Sequence, residues 1–211
     1  DEHSLALKRD GTVVAWGSNG YGQTSIPVGV SDVVAIAAGS LHSLALKRNG
    51  TVVVWGNKGV SWSVPPAGLN GVVAIAAGAN HSLALKQDGT VVAWGNAAAG
   101  ASTVPAGLSG VVAIAANADH NLARKSDGTV VAWGQNDSGQ NNVPAGLSGV
   151  TAIAAGHYHS LALKADGTVV AWGSNYLPTQ LPAGLNSVIA IGAGMYHSLA
   201  VTTDTTAPAT T

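Results

Sequence analysis

Hydrophobic positions in this chain fall into three kinds of run. The first is apolar throughout: residues 33–38, 72–77 and 111–116 read VVAIAA, and 150–155 and 188–193 vary it. The second opens on histidine, as in HSLALK at 42–47, 81–86 and 159–164. The third closes on tryptophan and glycine, as in VVAWG at 13–17, 91–95, 130–134 and 169–173. All are short and rich in Val, Ile, Leu and Trp, which is the length and composition of β-strands. Asp10 and Gly11, Asn49 and Gly50, Asp88 and Gly89, Asp127 and Gly128, and Asp166 and Gly167 separate the second run from the third. Such pairs accommodate the positive φ of a tight hairpin turn. Pro27, Pro66, Pro105, Pro144 and Pro182 mark an irregular connection after each third run. No segment carries a helical stripe with caps, so the pattern predicts an all-β chain.

The runs recur with a fixed period. His3, His42, His81, His120 and His159 are 39 residues apart, and His197 comes one residue early. Trp16, Trp55, Trp94, Trp133 and Trp172 keep the same spacing. Self-similarity near 40 residues with Trp-Gly at a fixed place is the signature of a propeller. A run without alternation needs both faces covered, and small sheets stacked around an axis cover each other. The prediction is a β-propeller of about 39-residue repeats over residues 1–203, followed by a Thr/Pro-rich linker at 204–211. A β-solenoid is the competing architecture, but its rungs are usually shorter and lack a hairpin in every unit. Six histidine-led strands accompany only five Trp-Gly strands. Two arrangements follow: a closed ring of five blades with one redundant strand, or part of a six- or seven-bladed ring.

Composition narrows the function. Charged residues make up 9% of the chain, against about 25% in an ordinary domain. A formal net charge of −1 lacks the clustered Lys and Arg of a nucleic-acid or anionic-membrane surface. The absence of Cys removes disulfides, thiol catalysis and thiolate metal sites. The longest apolar runs are far too short to insert in a bilayer. The chain opens without Met, as a trimmed or excised chain would. Low charge, abundant Asn, Ser, Thr and Gln and the Thr/Pro tail suit an extracellular or cell-surface bacterial setting.

Candidate chemistry is sparse. One histidine per repeat is too widely spaced for shared metal coordination, and each is expected to close its own blade's turn by hydrogen bonding. The five periodic tryptophans read as packing between blades. Eight of the nine Lys and Arg stand just before the hairpin turns or in them, forming a thin solvated rim. No Gly-rich stretch opens a helix that would cradle phosphate, and no acid–base constellation breaks the repeat. The reading is therefore a chain without catalytic residues, metal or cofactor.

The informative side chains are those outside the period. Strand direction alternates, so the turn before each His and the loop after each Trp-Gly share one face. Tyr21, Trp62 and Tyr176 lie in post-Trp loops, and His157 with Tyr158 and Met195 with Tyr196 precede a periodic His. All are expected on that face, with ring closure bringing Tyr21 near Tyr158, Tyr176 and Tyr196. Aromatics on rigid turns bury large area at small entropic cost, as partner-binding anchors do. The third full unit departs most from the pattern. Asn117 replaces a Gly, Asp119 precedes His120, and Arg124 stands where Leu46, Leu85 and Leu163 stand; an inward Arg124 calls for a partner such as Asp119.

Units such as residues 75–95, IAAGANHSLALKQDGTVVAWG, resemble the short repeat of the regulator of chromosome condensation family. Within that family the repeat is most like that of bacterial secreted propellers, including propeller-type β-lactamase inhibitors. The resemblance covers nearly the whole chain and implies a propeller whose partner is a protein. The expected function is a secreted or surface recognition module that binds a protein through its aromatic-bearing loop face. A lectin-like propeller stacking sugars on Trp62 and the tyrosines is the alternative. A structural spacer that assembles through incomplete terminal blades is another.

Overall fold

The computed structural model describes residues 3–57, 64–96, 98–174 and 179–203. Trp62, Tyr176 and the tail at 204–211 lie outside the described residues. Sixteen strands are found among the described residues: β1 (His3–Leu7), β2 (Val13–Gly17), β3 (Val33–Ala38), β4 (His42–Lys47), β5 (Val52–Gly56), β6 (Val72–Ala77), β7 (His81–Lys86), β8 (Val91–Gly95), β9 (Val111–Asn117), β10 (His120–Lys125), β11 (Val130–Gly134), β12 (Val150–Ala155), β13 (His159–Lys164), β14 (Val169–Gly173), β15 (Val188–Ala193) and β16 (Ser198–Thr202). They form four three-stranded antiparallel sheets with a histidine-led strand at each centre, flanked by the two-stranded sheets β1–β2 and β15–β16. The expected all-β repeat is the observed one.

Each hairpin is set by its turn. In the first, the amide of Gly11 donates to the carbonyl of Lys8 at 3.0 Å, and Lys8 N–H donates to Thr12 O at 2.9 Å. Glycine alone carries the positive φ, +80° at Gly11, as in a type I turn closed by a left-handed residue. Asp10 contributes through its side chain, whose Oδ1 accepts from the amide and hydroxyl of Thr12 at 2.9 and 2.6 Å. Those bonds hold the Asp10 carboxyl below the usual carboxylate range. Gly11 O then accepts from Val33 N–H at 3.1 Å, tying the hairpin tip to the start of the next sheet.

The first strand of each sheet corrects one expectation. The run VVAIAA is not covered at every position, because its second residue is a bulge. Val33 pairs with Lys47 and Ala35 with Leu46, which leaves Val34 unpaired and exposed. Val73, Val112 and Ile189 repeat this exposure. The bulge adds a residue and strengthens local twist where one sheet hands over to the next.

The core lies between sheets rather than at one centre. On β4, Leu44 and Leu46 pack with Val72, Ala84 and Trp94 of the following sheet. Ala45 points the other way, toward Leu5, Leu7 and Trp55. The middle strand is therefore buried on both faces. First strands of consecutive sheets touch along the inner side of the stack. Strands β2 and β16, at the two ends of the stack, face solvent along most of their length, so the stack is open and Tyr21 is not carried round to the last repeat.

Candidate interaction surface

Register decides which loops share an end. His42 lies opposite Gly56 and Leu46 opposite Val52, while Ala38 lies opposite Ser43. The turn before the histidine and the loop after Trp-Gly thus leave the sheet at one end, and the Asp-Gly or Asn-Gly hairpin leaves at the other. Turns before the histidines follow one another along the inner side, where Ser40 N–H donates to Ala79 O at 3.2 Å and Ala79 N–H to Ala118 O at 2.7 Å.

Two of the candidate aromatics meet on that row. The rings of Tyr158 and Tyr196 are stacked with centroids 6.2 Å apart and planes at 29°. His157 lies against Tyr158 at 4.2 Å. Tyr196 is 65% exposed and its neighbour Met195 is exposed as well. Tyr21 belongs to the same end but to an outer loop of the first repeat. That loop is cross-braced: Tyr21 N–H donates to Gln23 Oε1 at 2.9 Å, and Thr24 N–H donates to Asn19 Oδ1 at 3.0 Å. The Tyr21 side chain remains 54% exposed.

The periodic histidines close their own turns through the backbone, as where Gly39 N–H donates to His42 O at 2.9 Å, and their rings bridge to the following sheet. His42 Nε2 lies 3.0 Å from Ser82 Oγ in the following sheet, and His120 Nε2 lies 3.0 Å from Ser160 Oγ. Ser160 in turn donates to Gln140 O at 2.9 Å, and Trp172 Nε1 donates to the same carbonyl at 2.9 Å. This joint is a chain from His through a hydroxyl to a loop carbonyl shared with Trp. Asn121 replaces Ser in the fourth sheet and fixes the proton's place. Its Nδ2 donates to Ala101 O at 2.9 Å, so its Oδ1 accepts from His81 Nε2–H at 2.6 Å. Asn121→Ser is expected to preserve the joint. Asn121→Ala strands the buried His81 Nε2, while Ala101 O keeps the Trp133 Nε1 donor at 3.1 Å, and is expected to cost about 1–3 kcal/mol in urea-melt stability.

Burial holds these imidazoles neutral. Desolvation lowers His42 to about 4 and His120 to about 3, and it lowers His3, His81 and His159 in the same direction. The second ring nitrogen, Nδ1, is buried without a hydrogen bond in all five. Among the described residues, no group of three His, Asp or Glu side chains is placed to hold a metal.

Two features escaped the sequence reading. Gln23 and Gln140 are fully buried, with their carbonyls at the centre of the joints. Each follows a positive-φ glycine, Gly22 or Gly139, seven residues after the periodic Trp, and that Gly-Gln pair was the available signal. Arg124 takes no ion pair with Asp119; its Nε is buried and without a hydrogen bond.

Small antiparallel sheets stacked face to face, with their first strands innermost and a hairpin in each repeat, define the chain as a β-propeller repeat protein. The pattern of the regulator of chromosome condensation (RCC1) repeat matches residues 1–23, 33–59, 72–100, 111–140 and 150–177, and the chain belongs to that family. No curated protein sequence matches it significantly. Among solved structures it resembles yeast RCC1 (Prp20) bound to Kap60, with 25% identity and a TM-score of 0.79 over 95% of this chain and 66% of that one. It also resembles the ectodomain of the receptor kinase CR4 of Physcomitrella patens, with 26% identity and a TM-score of 0.79 over 99% of this chain and 58% of that one. The ectodomain of Arabidopsis thaliana ACR4 shares the fold at 22% identity and a TM-score of 0.75, over 96% of this chain and 73% of that one. The chain thus spans less than two thirds of the lengths of the yeast and moss proteins.

Proposed function

We propose that this RCC1-repeat chain is a non-catalytic recognition module of a secreted or surface-exposed bacterial protein, and that it binds a protein partner. The contact surface is the loop end carrying Tyr158 and Tyr196, with His157 and Met195 beside them, and Tyr21, Trp62 and Tyr176 belong to it by their place in the repeat. The observation that carries this reading is the Tyr158–Tyr196 stack, a half-buried ring against an exposed one, on neighbouring turns of the sheet stack. Rigid aromatics of this kind are the side chains that dominate binding energies. Yeast RCC1, crystallised with Kap60, supports a protein as the class of partner. β-Lactamase inhibition is the narrower form of the proposal.

Cross-linking at the loop end, followed by mass spectrometry, identifies the partner. Tyr158→Ala and Tyr196→Ala are each expected to weaken its binding roughly 10-fold or more, while a hairpin variant such as Lys86→Ala leaves it unchanged. Equal binding by all three variants rejects the surface. A glycan array that lights up selectively and is silenced by Trp62→Ala would replace the protein partner with a sugar.

A further inference from the structure

In the third, fourth and fifth hairpins a lysine is neutralised by the aspartate two residues on. Lys86 meets Asp88 at 3.4 Å, and Lys125 meets Asp127 and Lys164 meets Asp166 at 3.1 Å. Each aspartate uses its two oxygens differently. Asp88 Oδ1 accepts from Thr90 N–H at 3.0 Å, and Oδ2 faces the lysine. The second hairpin has Asn49 at that position. Its Oδ1 still accepts from Thr51 N–H at 3.1 Å, which leaves Nδ2 in the place of the carboxylate oxygen. The anionic partner of Lys47 is thereby replaced by a second donor. Arg48 stands beside it where the third to fifth hairpins have Gln87, Ser126 and Ala165. No ion pair of Lys47 or Arg48 is found among the described residues.

A third break in the repeat lies against the same hairpin. Asp32 O accepts from Arg48 N–H at 2.9 Å, as the carbonyls of Gly71, Gly110 and Gly149 accept from Gln87, Ser126 and Ala165. All four residues take a positive φ, 57° at Asp32, which is strained backbone for a residue with a Cβ. Asp32, Lys47, Arg48 and Asn49 together line an open recess of about 390 Å³. The hairpin belongs to β3–β4–β5, a sheet with neighbours on both sides, so the recess owes nothing to either end of the stack.

We propose that this recess is a carboxylate-binding site whose ligand is an acidic peptide segment of a partner protein. The incoming carboxylate takes the place that Asp88 Oδ2 holds in the third hairpin, between Lys47 Nζ and Asn49 Nδ2, with the Arg48 guanidinium beside it. Asp32 accepts a backbone N–H of the same segment. Its negative charge also sets selectivity, because a peptide brings donors to it, whereas the phosphodiesters of a nucleic acid offer acceptors alone and are repelled. The site is at the hairpin end, away from Tyr158 and Tyr196, so it stands independently of the surface proposed above.

NMR titration of the isotope-labelled full chain with the peptide acetyl-tetraglutamyl amide at low salt tests the site. The amide signals of Asp32, Arg48, Gly50 and Thr51 are expected to move at millimolar peptide, and those of Gln87, Gly89 and Thr90 to stay. Asn49→Asp restores the internal carboxylate and is expected to weaken binding about 5-fold. That variant keeps the fold, since Asp occupies this position in the other four hairpins. Arg48→Gln is expected to weaken binding as well. A short oligothymidylate is expected to bind the wild type more weakly than the peptide does, and Asp32→Gly to narrow that gap. Absent shifts, equal shifts at every hairpin or unchanged binding by Asn49→Asp overturns the proposal. So does a wild type that binds the DNA strand as tightly as the peptide.

Discussion

Acidification from pH 7 to pH 4 is expected to lower the urea midpoint of this protein steeply, beginning near pH 6.5. Above that value the buried histidines are neutral in both folded and unfolded chains, and stability is flat with respect to them. Below it the unfolded chain takes up protons that the folded chain refuses, because burial holds His42 down to about 4 and His120 down to about 3. The unfolded state binds more protons across that window, so stability falls as pH falls. At about 1.4 kcal/mol per pH unit, His42 alone accounts for roughly 3 kcal/mol. The Nδ1 side of the His42 ring has no hydrogen-bond partner and faces glycine: a Cβ on Gly39 would overlap the ring. A second acid window lies lower. Hydrogen bonds from Thr129 and Thr168 hold Asp127 and Asp166 at about 2, so their contribution persists above the normal carboxylate value and disappears as pH falls toward 2. Chemical denaturation at a series of pH values checks both windows. A midpoint unchanged between pH 7 and 4.5 would show that the imidazoles are not buried as described.

Gly78→Ala is expected to be severely damaging, at about 3 kcal/mol or more, in the range of severe core overpacking. A Cβ at Gly78 meets the His81 imidazole on one side and the Ala118 carbonyl at 2.7 Å on the other. Both neighbours belong to joints, and neither can move without breaking a hydrogen bond. Gly68→Ala is the control: its φ is +78° but nothing lies within 4 Å, so only backbone strain of about 1 kcal/mol is expected. Thermal melts of the two variants separate crowding from conformational strain, and equal losses would deny the close approach at His81. The fourth sheet meets the same problem differently. Asn117 stands in the glycine's place, its Oδ1 accepts from Ala118 N–H at 2.7 Å, and Ala118 turns to a φ of 44°.

The strands, hairpins and stacking of sheets were legible because each leaves a local mark that repeats. His-Ser-Leu, Asp-Gly and Trp-Gly recur at one spacing, and strand alternation places their loops on one end or the other. What a period cannot convey is whether a repeated residue contacts its own unit or the next. The His42 ring bonds to Ser82, forty residues on, yet its sequence neighbourhood fits a ring turned to its own unit equally well. The bulge at Val34 was hidden for a related reason: two valines in succession give no sign of which one is paired. At the candidate surface, the shared end of Tyr158 and Tyr196 followed from strand direction, and their stacking needed only that adjacent turns be close. Nearness of Tyr21 required the stack to close, which depends on the angle between sheets and leaves no trace in any single repeat.

The links from histidine to the following sheet bear on how this protein responds to a pull along its length. Joints in such a stack carry tension in series, so every one of them feels the same load. The hydrogen-bonded pair His159–Ser198, at 3.0 Å, fastens a sheet of only two strands, whereas the joint from His120 to Ser160 clasps two full sheets. The pair His3–Ser43, at 2.9 Å, likewise fastens the two-stranded β1–β2, so under force the two end sheets should peel first and the middle should hold. A tether attached at either end would feel a soft initial yield before the rest resisted.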